Sequence, residues 1–145
     1  MTTAEYEYAL DLRVRTARGE TVRPRTVREA AVAVGHGWDE EQPVALDLSA
    51  LKRIVIDPRA RTARVQAGVT AAELAAATET WGLAPLVDHR GGLVEANLLA
   101  AQVVLPDGQL VAADEALLRE IRTGHAVGIV VDATYRLHPS GELGR

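Results

Sequence analysis

A chain of 145 residues is the usual size of one folded unit and can bury roughly two thirds of the surface its unfolded form exposes. Hydrophobic residues make up 48% of it, with no phenylalanine and no cysteine, so the core must use small aliphatic side chains, and disulfides and thiolate chemistry are excluded. Against 20 acidic residues the 16 cations leave a net charge of −4 and lie scattered, which gives neither a nucleic acid nor a membrane surface a footprint.

The missing cysteines suit a reducing compartment, and no signal-peptide start or run of 18 apolar residues is present, so a cytoplasmic location is expected. Tyr6, Tyr8, Leu10, Leu12 and Val14 alternate with polar residues and predict a strand, whose edge offers a pairing surface for a homodimer. Thr26-Val27-Arg28-Glu29 has capping-box spacing and predicts a short helix up to Gly35, stopped by Gly35-His36-Gly37. Val44, Leu46 and Leu48 predict a second strand. Strands over Arg53 to Asp57 and Thr62 to Ala67, joined at Asp57-Pro58-Arg59-Ala60, then complete a β meander.

Thr70 and Glu73 repeat the capping box. Leu74, Ala77 and Trp81 form a stripe expected to face the core of a helix that ends at Gly82. Leu83 to Leu93 reads as an irregular connection, rich in Pro, Asp, His, Arg and Gly. An apolar run from Asn97 to Leu105, the turn Pro106-Asp107-Gly108 and Gln109 to Ala112 predict a hairpin. Asp114 caps a helix through Leu117, Leu118 and Ile121, closed by Gly124. Val127 to Leu137 is the longest β-rich stretch, and Ile129-Val130-Val131 requires it to be buried before Pro139 and a polar tail. These elements describe one α+β domain over residues 1–145, with a mixed or antiparallel sheet and about three helices.

Three stretches resemble the FAD-binding domain of the p-cresol methylhydroxylase, or vanillyl-alcohol oxidase, superfamily, which includes the berberine bridge enzymes. Arg23-Pro24-Arg25-Thr26-Val27-Arg28-Glu29 is similar to the entry of that family's first helix. Leu46 to Ile54, Asp57, Val65-Gln66-Ala67-Gly68-Val69, Glu73-Leu74 and Gly82-Leu83 form the second stretch. The third runs through Gly92-Leu93-Val94, Asn97 to Gly108, Leu117-Leu118, Gly128-Ile129-Val130 and Tyr135-Arg136-Leu137-His138-Pro139. The resemblance implies the family's fold in a truncated, degenerate form. In that family two glycine-rich loops cradle the FAD diphosphate with their amides. Here Gly35-His36-Gly37 stands for the first, only Arg90-Gly91-Gly92 is left of the second, and the separate substrate domain is missing.

The resemblance implies cofactor-facing roles for Gly35, His36, Gly37, Gly91, Gly92, Gly128, Ile129 and Val130. On the residues alone His36 reads rather as a polar residue in a helix-ending turn, and Gly128-Ile129-Val130 rather as an ordinary apolar core strand. Histidines 36, 89, 125 and 138 lack the spacing of a zinc site, so no metal is expected, and no serine sits in a nucleophile elbow. Asp88, His89 and Arg90 join a carboxylate, an imidazole and a cation in one glycine-bordered loop and are the candidate catalytic residues. With both cradles damaged, the expected function is binding a small organic molecule without FAD, with a redox-neutral cyclisation, isomerisation or elimination in specialised biosynthesis. The alternatives are an FAD-dependent oxidoreductase domain completed by a dimer mate or partner protein, and a non-catalytic interaction module.

Overall fold

The computed structural model describes residues 21–37, 45–125 and 128–143; the strand expected at Tyr6 to Val14, together with Trp38 and Val44, lies outside them. Helix α1 covers Val27–Gly37. Thr26 Oγ1 accepts the amide of Glu29 at 3.1 Å, and the Glu29 carboxylate accepts the amide of Arg25 at 3.2 Å, so the cap forms with its return bond one residue early. The helix does not stop at Gly35. That glycine is a packing position instead: a Cβ there would sit 3.4 Å from Cα of Gly108 and 3.5 Å from the Asp107 carbonyl.

Strands β1 (Ile54–Asp57) and β2 (Thr62–Gln66) pair as the expected antiparallel hairpin. The strand expected at Val44 to Leu48 does not join them. Among the described residues that segment makes one isolated parallel bridge, Leu46 to Val22, and then turns at Ser49–Ala50 so that Leu51 is buried. Here the chain crosses directly over Gly68, whose Cβ would lie 2.4 Å from the Leu48 carbonyl and 2.7 Å from that of Leu51.

Helix α2 (Ala71–Glu79) opens on the full capping box, with Thr70 and Glu73 exchanging bonds of 3.1 and 3.0 Å. Leu74 and Thr78 are its buried residues. Trp81 is not: it is 54% exposed, because the helix ends at Glu79 and the chain turns through Thr80 to Gly82, taking Trp81 off the stripe. The stretch after it is more regular than its composition suggests. Leu83–Pro85 forms strand β3, with Leu83 and Pro85 buried, and Val87 bridges Leu93.

The second hairpin comprises β4 (Leu98–Val104) and β5 (Leu110–Ala112), and its turn needs Gly108, which has φ +88°. Helix α3 (Glu115–Arg122) is capped by Asp114, which accepts the amide of Leu117 at 2.8 Å. Strand β6 (Ile129–Pro139) runs through the proline expected to end it, and a helical turn, α4 (Ser140–Leu143), replaces the expected polar tail.

The sheet order is β1-β2-β6-β4-β5, with β3 on the last three residues of β6 and every strand pair antiparallel. Helix α1 packs through Ala30, Ala31 and Val34 on Val104 and Val131. On the opposite face Leu74 of α2 meets Ala63, Val65 and Leu137, and Leu118 of α3 meets Ala101, Val103 and Ala133. The β6 ladder skips one residue, since Val103 pairs with Val130 but Gln102 with Asp132. This bulge at Val131 places Val131 against α1 and sends the next side chain, Asp132, to Arg64 on the same side.

Gly108→Ala forces a side chain into positive φ and brings its Cβ to 2.4 Å from Cα of Gly35, so urea unfolding should show a loss of roughly 2–4 kcal/mol. The ammonium of Lys52, 2.6 Å away, and the capping bonds of Thr70 pull the Glu73 carboxyl from 4.5 down to about 2. A carboxyl depressed in the fold stabilises above its unfolded pKa, and that contribution is lost as pH falls through its folded pKa. The melting temperature of Glu73→Gln should therefore fall less steeply than that of the parent chain between pH 4.5 and about 2.

Candidate functional site

The Arg90-Gly91-Gly92 turn is organised by the carboxylate beside it. Asp88 Oδ1 accepts the amides of Arg90 at 2.8 Å and Gly92 at 3.0 Å, while the Asp88 carbonyl accepts the amide of Gly91 at 3.0 Å. The Asp88 amide donates to the Gly92 carbonyl at 2.8 Å, and the Val87–Leu93 bridge closes the base of the loop. Asp88, His89 and Arg90 do stand together on this loop, but all three are exposed. The carboxylate is committed to its own backbone.

A diphosphate needs free amides and no competing negative charge in front of them. It does not fit this turn, whose three amides are taken and whose open side holds the Asp88 carboxylate, 3.4 Å from where a Cβ of Gly92 would lie. Nor does Gly35 present a free amide, because it lies inside α1, where N–H groups bond the carbonyls four residues back. Gly37 is the last residue of that helix, and the side chain of His36 lies outside the described residues. Gly128 is small for another reason: its Cβ would meet the Val104 carbonyl at 2.6 Å and Val103 Cγ1 at 2.9 Å, so it lets β6 approach β4.

A cleft of about 200 Å3 opens beside β2 and β6, lined among others by Val65, Val69, Leu93, Val130 and Tyr135, with Gln66 and Asp132 at its polar side. Leu93 follows the Asp88 to Gly92 loop directly, and Val130 belongs to the segment singled out in the sequence. Ile129 packs instead on the α1 side. Val65, Gln66, Val69 and Tyr135 sit in stretches that carry the family resemblance, but periodicity alone marks them only as strand and loop residues.

Gln66 is fixed by Arg53, donating its amide to the Arg53 carbonyl and accepting the Arg53 amide on Oε1, both at 3.0 Å. Asp132 accepts Arg64 Nε on its two oxygens at 2.9 and 3.0 Å, with its side chain only 11% exposed. That hydrogen bond, and the charge behind it, raise the Arg64 guanidinium above its ordinary range. Sequence reasoning missed this pair, because 68 residues separate its members and the bulge that aims Asp132 has no local signature.

Among the described residues no helix is long and apolar enough to cross a membrane. In solved structures the same fold recurs in the berberine bridge enzyme from Eschscholzia californica, with a TM-score of 0.69, 17% identity, and coverage of 95% of this chain and 39% of that one. It recurs also in Phl p 4.0202, a glucose dehydrogenase, with a TM-score of 0.68, 20% identity, and coverage of 96% of this chain and 41% of that one. In sequence, an FAD-linked oxidoreductase of Aspergillus terreus, pgmH, is 31% identical over 124 residues, 74% of this chain and 26% of the relative. The chain thus spans about a quarter of the length of the curated relatives it matches. Residues 4–92 match the FAD binding domain family. By that match the chain belongs to the FAD binding domain family, and its fold is the one seen in the berberine bridge enzyme.

Proposed function

We propose that this chain binds a small organic molecule in the cleft between Val65, Leu93, Val130 and Tyr135, on a flavoenzyme framework that no longer holds FAD. The Asp88 carboxylate carries this reading, since it occupies the amides of Arg90 and Gly92 that an anionic cofactor group would require. A cleft with apolar walls and a polar side can hold a ligand in one reactive conformer, and a redox-neutral cyclisation, isomerisation or elimination needs little more. The lining of the cleft, rather than the exposed His89 and Arg90, would hold the ligand.

A second reading is favoured by the 31% identity to an FAD-linked oxidoreductase four times longer than the matched region. In it the chain is one part of an oxidoreductase, and FAD is held with the help of further polypeptide. A titration with FAD separates the two. A ligand at a hundred times its Kd adds roughly 2.7 kcal/mol, several degrees of melting temperature for a chain this size. The first reading expects a colourless protein whose melting temperature does not move with FAD; a saturable rise overturns it in favour of the second.

The role of Asp88 has its own check. Replacing it with Ala removes two hydrogen bonds from an exposed loop, a loss of about 1 kcal/mol. Amide exchange at Arg90 and Gly92 should then accelerate roughly fivefold while β6 keeps its protection. Unchanged exchange would show that the carboxylate does not hold the turn.

A further inference from the structure

A second cleft lies on the side of the sheet that α1 covers. Its volume is about 320 Å3, at the lower end of the range for small-molecule sites. Val27 and Val55 supply apolar wall, and Arg53, Arg64, Gln66 and Asp132 supply the polar groups. Val55 is 48% exposed, an aliphatic side chain facing open space on a strand where its neighbours in register are paired.

The charges in this cleft do not balance. Among the described residues two guanidinium groups face one carboxylate, and that carboxylate accepts Nε of Arg64 at 2.9 and 3.0 Å. Among the described residues the terminal amino groups of Arg64 have no acceptor, while Asp132, nearly buried, holds the guanidinium in place. Arg53 has its backbone pinned to Gln66 in both directions, and its side chain makes no ion pair or hydrogen bond with the described residues. One net positive charge beside an apolar wall matches a monoanion with an apolar body. A planar carboxylate suits a guanidinium edge, which presents two parallel donors.

We propose that this cleft binds a small organic carboxylate, its oxygens on Arg53 and the free edge of Arg64 and its apolar body against Val27 and Val55. This site adjoins the cleft of the preceding section, sharing Val65, Gln66 and Asp132 with it, but Val27, Arg53, Val55 and Arg64 line it alone, and it does not depend on whether FAD binds. Benzoate is a suitable probe, with benzamide as its neutral counterpart of the same shape. Followed by amide chemical shifts of the whole chain at low salt, benzoate should give saturable changes centred on Val27, Val55 and Arg64.

Benzamide should bind at least about tenfold more weakly, and Arg53→Gln should weaken benzoate by a similar factor, the loss of one charge-assisted contact. Arg53 is exposed, so its replacement leaves the fold intact, whereas removing Arg64 would strand the Asp132 charge. Arg64→Lys keeps that charge paired but gives up the planar edge, and should also weaken benzoate. Changes that do not saturate, equal binding of benzamide, or an unchanged affinity in Arg53→Gln would overturn the proposal. Changes centred on Leu93, Val130 and Tyr135 would overturn it too, by placing the carboxylate in the other cleft.

Discussion

The eleven residues of β6 pair with β2, β3 and β4, and all three longer helices rest on side chains that this strand supplies: α1 on Val131, α3 on Ala133 and α2 on Leu137. A regular strand alternates strictly, and in a regular β6 Asp132 would share the face of Val130, inside the α3 layer. The extra residue at Val131 breaks the alternation once. It keeps the carboxylate out of the apolar layer and delivers it to Arg64, and the displaced Val131 carbonyl accepts the amide of Ala67 at 3.0 Å. Both clefts border Asp132, so both owe their polar side to that irregularity.

The remaining layers are held by close approach rather than by bulk. With no phenylalanine, the core uses alanine, valine and leucine, and its elements must come near enough for short side chains to meet. Gly35 and Gly108 let α1 rest on the β4–β5 turn, Gly68 lets the Leu48 to Leu51 segment cross the end of β2, and Gly128 lets β6 start against β4. All four glycines lie in segments that resemble family motifs, yet their surroundings here explain them as spacers between backbone segments.

What was legible in the sequence is what short-range chemistry dictates. The capping box at Thr70, the caps at Thr26 and Asp114, the hairpin at Pro106 to Gly108 and the long strand through Ile129 to Val131 are decided within a few residues, and each stands in the structure, although of that run only Val131 is fully buried. The failures are the elements decided from a distance. Leu83 to Pro85 becomes a strand because β6 extends far enough to pair with it, whereas among the described residues Leu46 is met by a single bridge, to Val22. Trp81 lies at stripe spacing but beyond the point where the helix turns away. For the site, the Asp88 loop was found by composition, whereas Arg64 and Asp132 meet only through strand pairing and a bulge.

In the Asp88 loop the anion and its receptor belong to the same chain. A carboxylate tethered this closely meets the Arg90 and Gly92 amides at an effective concentration on the order of millimolar or above, whatever the solution contains. It is never washed out or depleted. A phosphate approaching from solution would therefore compete with an internal ligand and be repelled by its charge, which makes the turn a permanently filled copy of an anion site.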